Sequence, residues 1–138
     1  MSQLPPSVVV DASVVVSSLI DGGKLGRWAE NLLTVETLHA PHMLPAEVAN
    51  VLRRALRRGV VDQTVVAQAW ADLEDLGLVL YDFLPFRRRA WELRENVSSY
   101  DAWYIALAEA LDAPLATLDR RLERAPGIRC QILSAECG

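Results

Sequence analysis

Ser7-Val8-Val9-Val10-Asp11-Ala12 constrains this chain more than any other segment. Three β-branched residues are stopped by an acid, an apolar stretch runs from Ala12 to Ile20, and Asp21-Gly22-Gly23 closes it. That reads as a strand, a helix and a turn in immediate succession. The same alternation continues. A second helix is expected from about Leu25 to Val35, then a short strand at Leu38-His39-Ala40 bounded by Pro41. Leu44, Val48, Val51, Leu52, Ala55 and Leu56 follow helical spacing up to a stop at Gly59. A helix from about Asp62 to Leu76 ends at Gly77, and Leu78 to Tyr81 reads as a buried strand. Phe86 to Glu95 is expected to be helical with a basic outer face. Ser98 or Ser99 opens a helix that runs to Asp112, with Pro114 beyond it. Leu115-Ala116-Thr117 is a short strand, Asp119 begins a short helical segment, and Ile128 to Leu133 is the last strand. Strands separated by helices imply repeated βαβ units, hence an α/β fold with a parallel sheet covered on both faces.

At 138 residues the chain fits one domain, large enough to bury roughly two thirds of the surface its unfolded form exposes. The 51% hydrophobic and 23% charged composition describes a globular protein. Asp11 interrupts the first apolar stretch too soon for a signal peptide or a spanning helix, so a cytoplasmic protein with no membrane attachment is expected. Cys130 and Cys137 have no CxxC spacing and read as reduced thiols. His39 and His42 flank Pro41 and read as loop or packing residues, not metal ligands.

The net charge of −4 argues against a protein that coats nucleic acid by bulk positive charge. Distribution matters more than the total. Lys24 is the single lysine among 14 basic residues; the arginines cluster at Arg53, Arg54, Arg57 and Arg58, at Arg87 to Arg89, and at Arg120, Arg121 and Arg124. Arginine forks suit phosphate geometry, although solvated helix faces and surface ion pairs are the commoner explanation for any one cluster.

In a parallel α/β sheet the site lies at the carboxyl ends of the strands, and four acids fall where such a fold could gather them. Asp11 follows the first strand; as a single residue it is explained equally by capping the next helix. Ser13, two residues on, could orient a carboxylate or a water. Glu47 borders the apolar stripe of its helix, and its i+3 and i+4 neighbours are Asn50 and Val51, which leaves a directed carboxylate as the better reading. Asp101 shares a face with Ile105 and Ala108 and also suits the third position of a capping box begun by Ser98. Asp119 follows a strand and could cap the next segment or pair with an adjacent arginine, while Thr117 could donate to a carboxylate. One site explains all four positions together. Two like charges about 4 Å apart repel by about 4 kcal/mol at an effective dielectric of 20, so gathered carboxylates must take up protons or a cation. All-oxygen ligands favour Mg²⁺ or Mn²⁺, and phosphodiester hydrolysis is the reaction such a site serves.

Val8-Val9-Val10-Asp11-Ala12-Ser13, the run from Pro45 to Arg54, the run from Tyr100 to Glu109 and the run from Thr117 to Leu122 together resemble the PIN domain, and more narrowly the VapC toxins of bacterial type II toxin–antitoxin pairs. The likeness extends from about Val8 to Leu133 with the four motifs in family order. It implies one PIN domain over residues 1–138, a three-layer α/β/α fold with a central five-stranded parallel sheet, and a Mg²⁺- or Mn²⁺-dependent endoribonuclease. Asp11, Glu47, Asp101 and Asp119 match the family's acidic positions as metal ligands and catalytic residues, with Ser13 and Thr117 as supporting polar residues. Further implications are an RNA substrate of the tRNA or rRNA class, a homodimer, and a VapB-like antitoxin forming a heterotetramer or larger assembly. The Arg87 to Arg89 run has no counterpart in this reading. A phosphoacceptor would need a second acid beside Asp11, and a dinucleotide-binding enzyme would need GxGxxG after the first strand; neither is present. A non-catalytic RNA-binding or scaffolding module is the rival of a different class.

Overall fold

The computed structural model describes residues 4–135, so Cys137 lies outside the described residues. Five strands form one parallel sheet in the order β3-β2-β1-β4-β5. The strands are β1 (Ser7–Val10), β2 (Thr37–Pro41), β3 (Val79–Tyr81), β4 (Leu115–Ala116) and β5 (Ile132–Leu133). Between β1 and β2 lie α1 (Ala12–Ile20) and α2 (Lys24–Leu32), and between β2 and β3 lie α3 (Leu44–Arg57) and α4 (Gln63–Asp75). A 3₁₀ turn at Leu84–Phe86, α5 (Arg87–Glu92) and α6 (Ser99–Leu111) return the chain to β4, and α7 (Arg121–Arg124) precedes β5.

The chain steps from β1 outward to β3 and then jumps back to the other side of β1. Right-handed connections put outward and return helices on opposite faces. Accordingly α1 packs on α2, α3 and α4, while α6 packs on α5 and on β1, β2 and β4. Val8, Val9 and Val10, all 0% exposed, lie at the centre of the resulting core with Leu44, Val48, Ile105, Leu107 and Leu115. Each such aliphatic side chain contributes about 1.5–3 kcal/mol of burial. The reversal of direction falls between β1 and β4, which makes the crevice beyond their carboxyl ends the natural site of the fold.

Several boundaries differ from the sequence reading, each for a local reason. The Leu78 to Tyr81 strand forms, but at the sheet edge: Val79 is 41% exposed and the strand is not buried. His39 lies within β2, where the Leu38-His39-Ala40 strand was expected, and takes the packing role of its two readings, its Nδ1 2.8 Å from the Tyr81 hydroxyl. The basic helix stops at Glu92 because Leu93, Arg94 and Asn96 bond three residues back, tightening the chain into turns. The last strand is short because the Arg129 N–H donates to Glu109 Oε2 at 2.8 Å, leaving the chain to join the ladder only where Leu115 N–H reaches Gln131 O. Gly59 and Gly77 do stop their helices, at φ of 70° and 66°. Gly26 was not singled out from sequence, yet α2 passes so close to the preceding turn that a Cβ there would lie 1.7 Å from the Asp21 carbonyl oxygen.

Candidate active site at the carboxyl edge of the sheet

Asp11 ends β1 in extended geometry and caps α1, its Oδ1 accepting from the Val14 N–H at 3.2 Å. The cap is only part of its role. Ser13 Oγ donates to the same oxygen at 2.5 Å, and Thr117 Oγ1 donates to Oδ2. Thr117 is fully buried and directly follows β4, so this bond crosses the reversal point of the sheet. The two hydroxyls also accept: Ser13 Oγ from Leu118 N–H at 3.1 Å and Thr117 Oγ1 from Asp119 N–H at 3.0 Å. Both carboxylate oxygens of Asp11 are thereby fixed, and both supporting residues expected from sequence take part.

Glu47 lies in the first turn of α3, where the helix N-terminus favours negative charge. No arginine of its own helix reaches it; instead Tyr104 Oη donates to Glu47 Oε1 at 2.6 Å from α6. Tyr104 was not singled out from sequence. It lies three residues beyond Asp101, the spacing that puts two side chains on one helical face, and that spacing was the available signal. Asp101 stands in the first turn of α6, whose Ser98 caps the helix by accepting from the Asp101 N–H at 3.1 Å. Asp119 is held by Arg121, which supplies its N–H at 3.0 Å and two guanidinium contacts at 3.0 and 2.7 Å.

Helices that return to a parallel sheet begin at the strands' carboxyl edge, as do helices that follow a strand. The topology therefore carries all four acids to that edge. Their charges interact accordingly. Burial pushes the Asp11 carboxyl up against opposing hydrogen bonds from Ser13, Thr117 and Val14. Burial also raises Glu47, and the charges of Asp11 and Asp101 raise it further while Tyr104 opposes them. Asp101 is raised by burial and then by the charge of Asp119. Asp119 alone is held below the ordinary carboxylate range, by its hydrogen bonds from Arg121. Asp101 and Asp119 line one cavity of about 400 Å³ together with Ser98 and Arg121.

Among the described residues no three Asp, Glu, His or Cys side chains close around a single point as a ready-made metal cage. Mg²⁺ does not require one: it keeps several waters and is typically held by one or two carboxylates plus substrate phosphate. Three partly desolvated acids, each with its pKa raised, form a donor set of the kind a hard cation satisfies. The histidines and Cys130 take no part. His42 pairs with Asp82 at 2.8 Å on the surface, and burial pushes the Cys130 thiol up to about 11.

A parallel five-stranded sheet with this acidic edge defines the class: the PIN domain profile matches residues 8–128. The chain is 43% identical over 128 residues to Ribonuclease VapC1 of Mycobacterium tuberculosis, covering 90% of this chain and 94% of the relative. It is 38% identical over 128 residues to Ribonuclease VapC9 of the same organism, covering 91% and 95%. The chain belongs to the PIN domain family and, within it, to the VapC ribonucleases. Among solved structures, VapBC2 from Rickettsia felis bound to a promoter DNA fragment superimposes with a TM-score of 0.65 at 16% identity, covering 94% of this chain and 99% of that one, a likeness of fold alone.

Proposed function

We propose that this protein is a Mg²⁺- or Mn²⁺-dependent endoribonuclease, the toxin of a type II toxin–antitoxin pair. The observation that carries the proposal is the set of partly buried carboxylates at Asp11, Glu47 and Asp101, with Asp119 beside Asp101, in which Asp11 and Asp101 act on Glu47 and Asp119 acts on Asp101. Asp11, Glu47, Asp101 and Asp119 would hold the cation. When bound, such an ion lowers the pKa of water and offsets charge at a reacting phosphate. The chain's own residues do the rest. Ser13 and Thr117 fix both oxygens of Asp11. Tyr104 occupies Oε1 of Glu47, which leaves Oε2 as the oxygen able to take a proton from an attacking water. Arg121 keeps Asp119 ionised.

Kinship with the VapC ribonucleases supports a VapB-like antitoxin partner, a homodimer that becomes a heterotetramer or larger with it, a cytoplasmic setting, and an RNA target of the tRNA or rRNA class. No helix among the described residues is long and apolar enough to cross a membrane. A non-catalytic RNA-binding module would have no use for three gathered carboxyls whose pKa values burial raises, so that alternative is disfavoured. The test is cleavage of total cellular RNA by antitoxin-free protein with Mg²⁺, Mn²⁺ or EDTA, beside a folded Asp101→Asn variant. Discrete metal-dependent fragments lost in the variant are expected; equal cleavage by both proteins, or none by either, would refute the reading.

A further inference from the structure

The run Arg87 to Arg89, unexplained by the acidic motifs, divides in the fold. Arg89 turns inward, with Nε 2.7 Å from Glu109 Oε1 and Nη2 2.6 Å from the Gly127 carbonyl. Arg87 and Arg88 stay exposed, and no ion pair among the described residues involves either. With Phe83, Ala90, Trp91 and Ser99 they line a hollow of about 430 Å³. Trp91 is 66% exposed, and the Arg94 guanidinium lies over its ring at 4.7 Å from the centroid. Leaving a large indole in water is unfavourable without a use, and the cation beneath it limits its rotamers. Arg87 Nη1 donates to the Leu84 carbonyl at 2.7 Å, which holds that side chain in place and leaves its remaining N–H donors. An exposed indole beside these two guanidinium groups offers a stacking surface for an unpaired base and donors for its phosphate.

The location of this hollow ties it to the acids. Ser99 forms part of its wall, whereas Val97 and Ser98, the two preceding residues, wall the cavity that holds Asp101 and Asp119. The two hollows thus adjoin across the turn that caps α6. A third hollow of about 370 Å³ shares Asn96, Arg121 and Ala125 with the acidic cavity and adds Arg120 and Arg124. Two arginine-lined hollows thus adjoin the acidic cavity, one through Ser98 and Ser99 and the other through Asn96, Arg121 and Ala125. In a chain whose net charge is −4, that placement gives a polyanion local purchase without bulk attraction.

We propose that these three hollows form one track for single-stranded RNA, with Trp91 stacking an unpaired base and Arg87, Arg88, Arg120 and Arg124 holding phosphates on either side of the scissile bond. The inference rests on the ribonuclease reading and deepens it, because it selects unpaired over duplex substrate. A duplex keeps its bases stacked on one another and has none to give an indole. A protein partner laid over the same face would have to bury Arg87 and Arg88 against carboxylates of its own.

The experiment uses the full chain carrying Asp101→Asn, to suppress cleavage, and fluorescence anisotropy with labelled oligouridylate and with a labelled RNA duplex. Adding Trp91→Ala is expected to weaken oligouridylate binding by about 5- to 150-fold, equivalent to about 1–3 kcal/mol of base stacking. Trp91→Phe should restore most of it, and duplex affinity should change less than twofold on the scale of about 0.4 kcal/mol. Removing Arg87 and Arg88 together should lower the slope of log affinity against log salt by about 1.4. Unchanged oligouridylate affinity in Trp91→Ala overturns the track, as does equal loss for duplex and single strand. A change in sedimentation of Trp91→Ala without a change in RNA affinity also overturns it and assigns the face to a protein contact. Failure of the wild-type chain to cleave any RNA bears on the catalytic reading instead, and the anisotropy result still decides the track.

Discussion

Replacing Tyr104 by Phe removes one oxygen and tests whether Glu47 is held as a directed carboxylate. Tyr104 is 4% exposed and its hydroxyl donates to Glu47 Oε1 at 2.6 Å. Burial and the neighbouring acids push the Tyr104 hydroxyl far above its ordinary range, so it remains a donor at every working pH. A hydrogen bond to a charged group contributes about 1.5–3 kcal/mol, a neutral one about 0.5–1.5 kcal/mol. Unfolding of a 138-residue domain carries an entropy of about 0.29 kcal/mol/K, so each kcal/mol shifts the melting temperature by about 3–4 °C. With Glu47 ionised, the variant should melt about 5–10 °C below wild type; with Glu47 protonated, about 2–5 °C below. The sign follows from linkage. The tyrosine bond opposes the upward shift of Glu47, so its loss raises the folded-state pKa further. A raised carboxyl adds stability that is present below its unfolded pKa and is lost as pH climbs through the folded value. Tyr104→Phe should therefore lose stability more steeply than wild type as pH rises. Melting curves of metal-free protein at about pH 4 and about pH 8, on either side of that range, read the difference. An equal loss at both would refute the reasoning and reduce Tyr104 to a packing residue.

Three further outcomes follow from the same geometry. Thr117→Val should destabilise by about 1–3 kcal/mol, because Asp11 loses a donor and the Asp119 N–H loses its acceptor, while Thr117→Ser should recover most of that in chemical denaturation. Mg²⁺ at a hundred times its dissociation constant should stabilise the chain by about 2.7 kcal/mol at neutral pH. That gain should shrink, and RNA cleavage should fall, as acid protonates the raised carboxyls of Asp11, Glu47 and Asp101; indifference of the melting temperature to Mg²⁺ would count against their role as ligands. Arg89→Ala should cost about 3 kcal/mol, since it strands Glu109, whose side chain is 13% exposed, and the Gly127 carbonyl; a change within 0.5 kcal/mol of zero, the usual range for surface sites, would show that the pair is only a surface contact.

What the sequence disclosed, and what it withheld, divides by the range of the interaction. β1, α1, α3 and the Ser98 cap were legible because their signals are local: a valine run stopped by an acid, apolar spacing closed by Gly59, and a serine three residues before Asp101. The edge position of β3 was not legible, since an apolar run looks alike in the middle of a sheet and at its margin. The shortness of β5 depends on Glu109, about twenty residues away, competing for a backbone N–H, and no window of sequence contains that competition. The acids could be found because a parallel fold sends the ends of strands and the starts of helices to one edge. Their supports were found only where they stood next to an acid in the chain, as Ser13 and Thr117 do to Asp11 and Asp119. The partners of Glu47 and of Arg89 lie on other elements and required the fold.

Two of the four acids precede the midpoint of the chain and two follow it, and β4, which carries the buried Thr117 across to Asp11, is the fourth of five strands to be made. A nascent chain therefore holds no finished site until α6 and β4 have followed β1 and α3 out of the ribosome. A break between α4 and α6 divides the four acids two and two. The site is thus a late product of synthesis, divided between two halves of the chain that meet only when β4 pairs with β1.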